Sequence, residues 1–547
     1  MNWLRTHTRS IEVAIAAIIT TILVQLHFAV LTHAGALWRD EISSLHLATL
    51  PSLASFWSSL VYDPFPAFYF FLLRIWSALG LAGTDFDLRA LGLLTGLTLL
   101  AALWFTCWRI NRSAPLWPLA LFALNPVALQ FGDSIRAYGV GLIWIVLSFV
   151  FIWQLTFREV RPRTILLASA SAVLSVQTLF TNSLLLFALC VAGIAVCARR
   201  KSWRRVNSLL AVGTIAAASL SIYAPIFRRT HDWSALCVTP TSYREIFVNY
   251  SRALGEGSGA VAFFWVALML GGFVAALSLQ FRSKQPELSS DRNDQLLFGA
   301  IALAVATAAM TTFFRVVSWP TSLWYFLPLM ALSAICLHAI HSTLLESMRA
   351  RILGWVVVLC AAGMSILPAQ RHSLIHLTNA DLMAQAVASQ AEKDDLVLVS
   401  PYFYAISFQR YYHGTAPWTA IPAIDDYSLH RWDLLKHAME ERDPIRETLV
   451  RVQTTLQSGH KIFLVGAFPY RGPDAPVPFA PAPQTPFGWE LQSYLHNWAA
   501  QTSFLIYQHV EHSKLFLVSD PAPVSGMERL WVFEVSGWKR AAIARTK

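Results

Sequence analysis

The chain has 547 residues, of which 55% are hydrophobic and 14% charged, with a mean hydropathy of +0.48. Soluble domains carry roughly 25% charged residues, so one large soluble core is excluded and long segments with nowhere to put a charge are required. The formal net charge of +10 does not signal nucleic acid, because Lys and Arg stand in short clusters between apolar runs, as membrane topology demands.

Apolar runs long enough to cross about 30 Å of hydrocarbon begin near Ile11, Leu88, Pro115, Ala137, Thr164, Asn182, Val206, Gly259, Leu296, Thr321 and Ile352. The first has no small-residue cleavage site after it and reads as a retained span. A further run, 64–83, is long enough but carries Arg74 near its middle. If it spans, Arg109, Arg112 and the later Arg-rich loops face outward. If it lies along the outer interface, Arg74 keeps its head group in water. Arg5/Arg9, Arg109/Arg112, Arg158/Arg161/Arg163, the cluster 199–205, Arg282/Lys284/Arg292 and Arg349/Arg351 then all face the cytoplasm. The second assignment is consistent along the whole chain. It predicts about eleven spans, with the N-terminus cytoplasmic and the C-terminus outside.

From about Gln370 the pattern changes. Asp381–Lys393 and Trp432–Gln457 are amphipathic at helical period. Leu396–Ser400, Lys461–Gly466, Lys514–Ser519 and Leu530–Val535 are short apolar runs bounded by charges, Gly or Pro, and predict buried strands. The Pro-rich stretch Pro469–Pro486 predicts an irregular loop. The expected organisation is a polytopic α-helical transmembrane module over 1–369, with 34–87 an outer loop bearing interfacial helices, followed by an extracytoplasmic α/β domain over 370–547. The six cysteines, Cys107, Cys190, Cys197, Cys237, Cys336 and Cys360, form no disulfide framework.

Three polar segments carry the candidate chemistry. Trp38-Arg39-Asp40-Glu41 follows the first span: two adjacent carboxylates and an Arg where the chain leaves the membrane. They are either a polar cap on a span or a general base beside a cationic phosphate clamp. Ile42–Leu60 is amphipathic and is expected at the interface, which would hold Asp40 at the bilayer surface. Tyr62 to Tyr69, with Asp63, Pro64 and Pro66 between them, is a Pro-punctuated turn into a helix. Asp133-Ser134-Ile135-Arg136-Ala137-Tyr138 sits at the end of a span, where a charge is costly unless paired or functional. Arg136 either pairs with Asp133 or binds an anionic head group, for which its planar fork is suited. His372 and His376 have i, i+4 spacing, but no carboxylate or third His lies within a turn, so no metal site is predicted. Cys190 and Cys197 read as core. No P-loop, no G-x-G-x-x-G after a strand and no H-E-x-x-H occurs.

The order and spacing of these segments resemble the GT-C superfamily of polyprenyl-phosphate-sugar glycosyltransferases, which includes the protein O-mannosyltransferases and the aminoarabinose transferases of lipid A. The likeness is to a bacterial branch with D-E-x-x-S-L-H-L-A, D-P-H-P-P-L-Y-Y and Q-E-A-R-M-Y-S-L. Here these are Asp40-Glu41-Ile42-Ser43-Ser44-Leu45-His46-Leu47-Ala48, Asp63-Pro64-Phe65-Pro66-Ala67-Phe68-Tyr69-Phe70 and Asp133-Ser134-Ile135-Arg136-Ala137-Tyr138-Gly139-Val140. The likeness is good over about 30–200 and diffuse beyond. Asp381–Gly414, with Asp394-Asp395-Leu396-Val397-Leu398-Val399-Ser400, is similar to the outer domain of that branch. Phe65 replaces the family's His, Ala67 its second Pro and Ser134 its Glu, so any donor contact made by that His is lost or moved.

The resemblance implies a GT-C membrane glycosyltransferase in a cell membrane, the bacterial inner membrane. It would move a sugar from a polyprenyl-phosphate donor to a hydroxyl of a lipid, glycan or protein acceptor on the extracytoplasmic side. Asp40 is then the catalytic base, with Glu41 beside it. Arg136 and Arg39 supply cations to the donor phosphate, while Asp63, Tyr69, Asp133 and Tyr138 line the substrates. One base and direct displacement imply inversion at the anomeric carbon. No cofactor is implied, although a divalent cation is compatible. The rival readings are a transporter or flippase for lipid-linked glycans, with Asp40 and Arg136 as pathway charges, and a non-catalytic membrane scaffold whose outer domain binds a partner. Against a transporter stand the clustering of these charges at one face and the lack of an internal repeat.

Overall fold

A computed structural model describes residues 2–234, 241–256, 258–282, 290–318, 320–344, 347–469, 484–485, 488–489, 491–516, 518 and 522–539. Cys237, Lys284, Leu517, Ser519 and the proline-rich stretch other than Pro469, 484 and 485 lie outside the described residues. The chain divides into two compact units. The membrane unit is Met1–Thr32, Phe65–Pro225 and Pro240–Leu374. The α/β unit is His33–Pro64, Ile226–Thr239 and Ile375–Lys547.

The membrane unit is helical because a chain in hydrocarbon must satisfy its own backbone polar groups. Among the described residues nine helices are long and apolar enough to cross a membrane: His7–His33, Asp85–Asn111, Tyr138–Phe157, Asn182–Arg199, Trp203–Thr230, Gly259–Ser278, Asp291–Val317, Leu323–Leu344 and Met348–Ser373. Tyr138–Phe157 and Leu323–Leu344 are the most enclosed, at 78% and 83% buried, and so form the centre of the unit. Gly259–Ser278, at 17%, lies at its periphery.

The remaining two apolar runs form shorter helices. The run from Pro115 breaks at Leu124-Asn125 into a π-helical turn, Pro118–Ala123, and a helix, Pro126–Gly132. Asn125 repairs the break. Its Oδ1 accepts from the backbone N–H groups of Val127 and Ala128, and its Nδ2 donates to the carbonyls of Ala253 and Leu254, both at 3.0 Å. The run from Thr164 is the helix Pro162–Val176. Run 64–83 yields only the helix Ala67–Ala78, about 18 Å long at 1.5 Å per residue, which is too short to cross the hydrocarbon as a helix. Its first turn is capped from elsewhere in the unit: Tyr223 Oη accepts from Ala67 N at 2.9 Å and donates to Gln177 Oε1 at 2.6 Å.

The α/β unit is built on a five-stranded sheet. Its strands are β1 (Leu396–Ser400), β2 (Trp418–Ala420), β3 (Ile462–Gly466), β4 (His512–Phe516) and β5 (Val532–Ser536), in the order β2-β1-β3-β5-β4. β2, β1 and β3 are parallel, with Leu398 opposite Thr419 and Leu464, whereas β5 and β4 complete an antiparallel edge. β1 and β3 are buried along their whole length, as strands covered on both faces should be. They pack with Phe408, Leu435, Val452 and Ile506 from the flanking helices.

The amphipathic stretch 432–457 forms two helices, Trp432–Glu440 and Arg446–Gln457. Pro444 removes a backbone donor between them and pushes Asp443 out of the helical region. The helix Arg39–Ala48 differs from a one-sided interfacial helix. It is buried at Glu41–Leu45, Leu47 and Ala48, and it packs within the α/β unit against the helix Tyr404–Tyr411.

Candidate functional site

The two units each hold a group of the sequence-predicted residues: Arg39, Asp40, Glu41 and Asp63 in the α/β unit, and Tyr69, Asp133, Arg136 and Tyr138 in the membrane unit.

In the α/β unit, Arg39, Asp40 and Glu41 form the first turn of a helix whose N-cap is Trp38. Carboxylates are favoured there because the helix N-terminus exposes unpaired N–H groups and a partial positive charge. Glu41 is fully buried, and its Oε2 accepts from the Trp38 N–H at 3.3 Å, giving that backbone donor a partner at the helix start. Asp40, one residue earlier in the turn, keeps its carboxylate 23% exposed. Arg39 Nε approaches Asp40 Oδ1 at 3.6 Å, and His430 Nε2 lies 3.2 Å from the same oxygen.

Arg39 is itself fixed. Its Nη1 donates to Glu528 Oε2 at 3.0 Å and to the Met527 carbonyl at 3.4 Å, and its backbone N–H donates to Glu528 Oε2 at 3.2 Å. The guanidinium also lies over the rings of Trp38, Phe403 and Tyr404. Glu528 is fully buried and accepts further from Thr378 Oγ1 at 3.1 Å and from Ser407 Oγ. Burial pushes the Glu528 carboxyl up, with Arg39 opposing the shift.

The segment 426–433 is tied to this helix and to the turn after it. His46 Nδ1 donates to the Ser428 carbonyl at 2.8 Å, His430 meets Asp40, and Tyr62 Oη donates to Asp433 Oδ2 at 3.0 Å. Arg431 binds Asp426 at 2.7 Å and Asp433 at 2.8 Å, and its guanidinium stacks on Tyr62. The His430 ring stacks on Trp432, with 5.5 Å between centroids and 13° between planes. Asp63 is buried and ends the 3₁₀ turn Leu60–Tyr62, its N–H donating to the Leu60 carbonyl.

In the membrane unit, Asp133 ends the helix Pro126–Gly132 and Tyr138 begins the next. Among the described residues the hydrogen-bond partner of the Asp133 carboxyl is His27, with Nδ1 and Oδ2 at 2.6 Å, rather than Arg136. Arg136 is buried, with its guanidinium 4.5 Å above the Phe65 ring. Phe65 meets Tyr138 edge-on at 5.2 Å. Phe65, which departs from the family's His, is thus a platform for Arg136. Ser134, another departure, turns its hydroxyl to the Phe131 carbonyl at 2.7 Å. Tyr69 is buried, edge-on to Phe70.

His27, His46, His430 and Glu528 were not singled out from sequence. His27 sits in an apolar run, and nothing local in the sequence joins residue 40 to residue 430 or residue 39 to residue 528. No group of three or more His, Cys, Asp or Glu placed to hold a metal occurs among the described residues.

No protein-family model matches the chain, and no curated protein does. Solved structures do. ArnT from Cupriavidus metallidurans in the apo state aligns with a TM-score of 0.50 at 12% identity, over 82% of this chain and 92% of that one. ArnT bound to undecaprenyl phosphate aligns at 0.49 and 11%, with the same coverage. The archaeal oligosaccharyltransferase AglB from Archaeoglobus fulgidus, in complex with an inhibitory peptide and a dolichol-phosphate, aligns at 0.48 and 12%, over 84% of this chain and 70% of that one. At such identities a likeness speaks for the fold alone, and it rests on the apo ArnT structure. With nine helices able to cross a membrane among the described residues, and an α/β unit, the chain is a polytopic protein of the GT-C fold that apo ArnT shows.

Proposed function

We propose that the protein is a membrane glycosyltransferase that moves a sugar from a polyprenyl-phosphate donor to an acceptor hydroxyl on the extracytoplasmic side. The observation that carries this reading is Asp40: a partly exposed carboxylate in a helix's first turn, with one oxygen addressed by Arg39 and His430. The motif likeness and the fold support it. ArnT, whose apo structure shares the fold, is also solved with undecaprenyl phosphate.

In this reading Asp40 takes the proton of the acceptor hydroxyl, a poor nucleophile until that proton leaves. The acceptor oxygen bonds to the anomeric carbon as the carbon–oxygen bond to phosphate breaks, and the electron pair leaves with the phosphate. The configuration inverts. The leaving group is already an anion and needs a cation rather than an acid. Arg136 supplies that cation. Arg39, engaged by Glu528, Met527 and three rings, holds Asp40 in place and has little freedom to follow a phosphate. Glu41 fixes the helix start, and Asp63, Tyr69, Asp133 and Tyr138 shape the substrate-binding surfaces.

The test is turnover by purified protein of the polyprenyl-phosphate sugars extracted from the cells that make it. Asp40→Asn should lower the rate by about two to four orders of magnitude, the usual worth of a positioned base, with normal protein yield. Full activity in Asp40→Asn would remove the base assignment. Mass spectrometry of envelope glycans with and without Asp40 would identify the acceptor.

A further inference from the structure

We infer that His430 and Asp40 form an acid–base dyad in which the imidazole positions the carboxylate for proton abstraction. The inference rests on the reading of Asp40 as the base. His430 Nε2 lies 3.2 Å from Asp40 Oδ1, whereas His430 Nδ1 is buried and has no hydrogen-bond partner. The tautomer that leaves no buried N–H unmet carries its proton on Nε2 and donates it to Asp40. Arg39 approaches the same oxygen. Oδ1 is therefore the oxygen that both His430 and Arg39 address.

The imidazole is held firmly enough to do this. Its ring stacks on Trp432, and its neighbours are pinned on both sides. Ser428, two residues before, receives the His46 N–H, and Asp433, three residues after, receives the Tyr62 hydroxyl. Arg431 closes the segment on itself through Asp426 and Asp433. A carboxylate acts as a base only when its oxygens are held in a productive geometry. Holding Oδ1 from a rigid segment contributes to that geometry, and misplacement of a reacting group by about 1 Å can cost about a hundredfold in rate.

Two variants of the full-length protein separate positioning from packing. His430→Phe keeps an aromatic ring on Trp432 but removes the donor, and His430→Gln returns an amide N–H near the Nε2 position. With extracted polyprenyl-phosphate sugars as donor, His430→Phe should lower kcat by about tenfold to a hundredfold, with KM for the donor little changed. The acid limb of its pH–rate profile should move to higher pH, because a carboxylate that loses a donor is more readily protonated. His430→Gln should recover most of the rate and return the limb toward the wild-type position. A packing role would instead lower thermal stability in both variants and leave the limb in place. Wild-type kcat and an unmoved limb in His430→Phe would overturn the dyad while leaving Asp40 as the base. Equal loss in both variants with an unmoved limb would overturn it too. Full activity in Asp40→Asn would overturn the base assignment itself, and the dyad with it.

Discussion

His27 and Asp133 meet as a buried hydrogen-bonded pair at 2.6 Å, and Gly96 is the residue against which they meet. A Cβ at Gly96 would fall within contact distance of Asp133 Oδ1 and 2.5 Å from His27 Nδ1, so only glycine leaves room for the pair beside the helix Asp85–Asn111. Gly96→Ala should destabilise the membrane unit by about 1–3 kcal/mol, the usual penalty of overpacking. His27→Ala should cost a similar amount, about 1–3 kcal/mol, because it leaves a buried carboxyl without its hydrogen-bond partner. Thermal unfolding in detergent measures both. A Gly96→Ala protein as stable as wild type would show that the pair can move aside.

Arg39 and Glu528 make a second buried pair, in the α/β unit, and its behaviour separates structural from phosphate-binding roles for Arg39. Arg39→Ala leaves Glu528 buried with two hydroxyl donors and the residue-39 N–H but no cation, which should destabilise the unit by about 3 kcal/mol. Pairing Arg39→Met with Glu528→Gln removes both charges and should recover much of that loss. Recovery of stability together with activity would place Arg39 outside donor binding. Recovery of stability with activity still lost would return it to the donor phosphate.

His46 gives the α/β unit a pH dependence. Burial, the leading cause, pushes its imidazole below the ordinary 6.5, while the bond to Ser428 works the other way. The unfolded chain therefore binds more protons than the folded one as pH falls below 6.5, and stability is lost on acidification, not gained. Melting of the wild type should drop between pH 7.5 and 5.5 more steeply than that of His46→Asn, which keeps a donor for Ser428 and cannot be protonated. Parallel curves for the two proteins would assign the loss to other groups.

Much of the fold was legible because hydrocarbon leaves the chain few choices. An apolar run has to be a helix, and nine of the eleven runs are long ones. The break at Leu124-Asn125 has little local signal: Asn125 Oδ1 takes up the N–H groups of Val127 and Ala128, but the carbonyls that hold its Nδ2 lie 128 and 129 residues away. The strands β1, β3 and β5 are visible as apolar runs between charges, whereas β4 begins two residues before the expected run and is an exposed edge strand rather than a buried one, and β2, three residues from Trp418, is too short to show a period. The polar segments around Asp40 and Arg136 stood out since charges beside apolar runs are conspicuous. Their partners did not, because His430 and Glu528 come from loops hundreds of residues away, where a lone His or Glu carries no local signal.

Phe65 offers the sharpest check on how Arg136 meets the donor. Its ring lies 4.5 Å under the guanidinium and is braced edge-on by Tyr138 at 5.2 Å. A cation over an aromatic face is worth about 0.5–2 kcal/mol, the larger values applying when the pair is desolvated. Arg136 is buried, so the upper part of that range applies. Phe65→Leu keeps the volume and apolarity but removes the π face, so the guanidinium loses its platform. The KM for the polyprenyl-phosphate donor should rise by about 10- to 30-fold, the fold-change equivalent of the upper part of that range, with kcat falling less. Phe65→His restores an aromatic ring and the residue of the resembled family, and it should keep KM near the wild-type value. Arg136→Ala removes the cation itself and should impair both KM and kcat, because the phosphate loses its counter-charge in the ground and transition states alike. Donor-concentration dependence of turnover in the three variants decides the matter. An unchanged KM in Phe65→Leu beside a raised one in Arg136→Ala would mean that Arg136 holds its place without the ring.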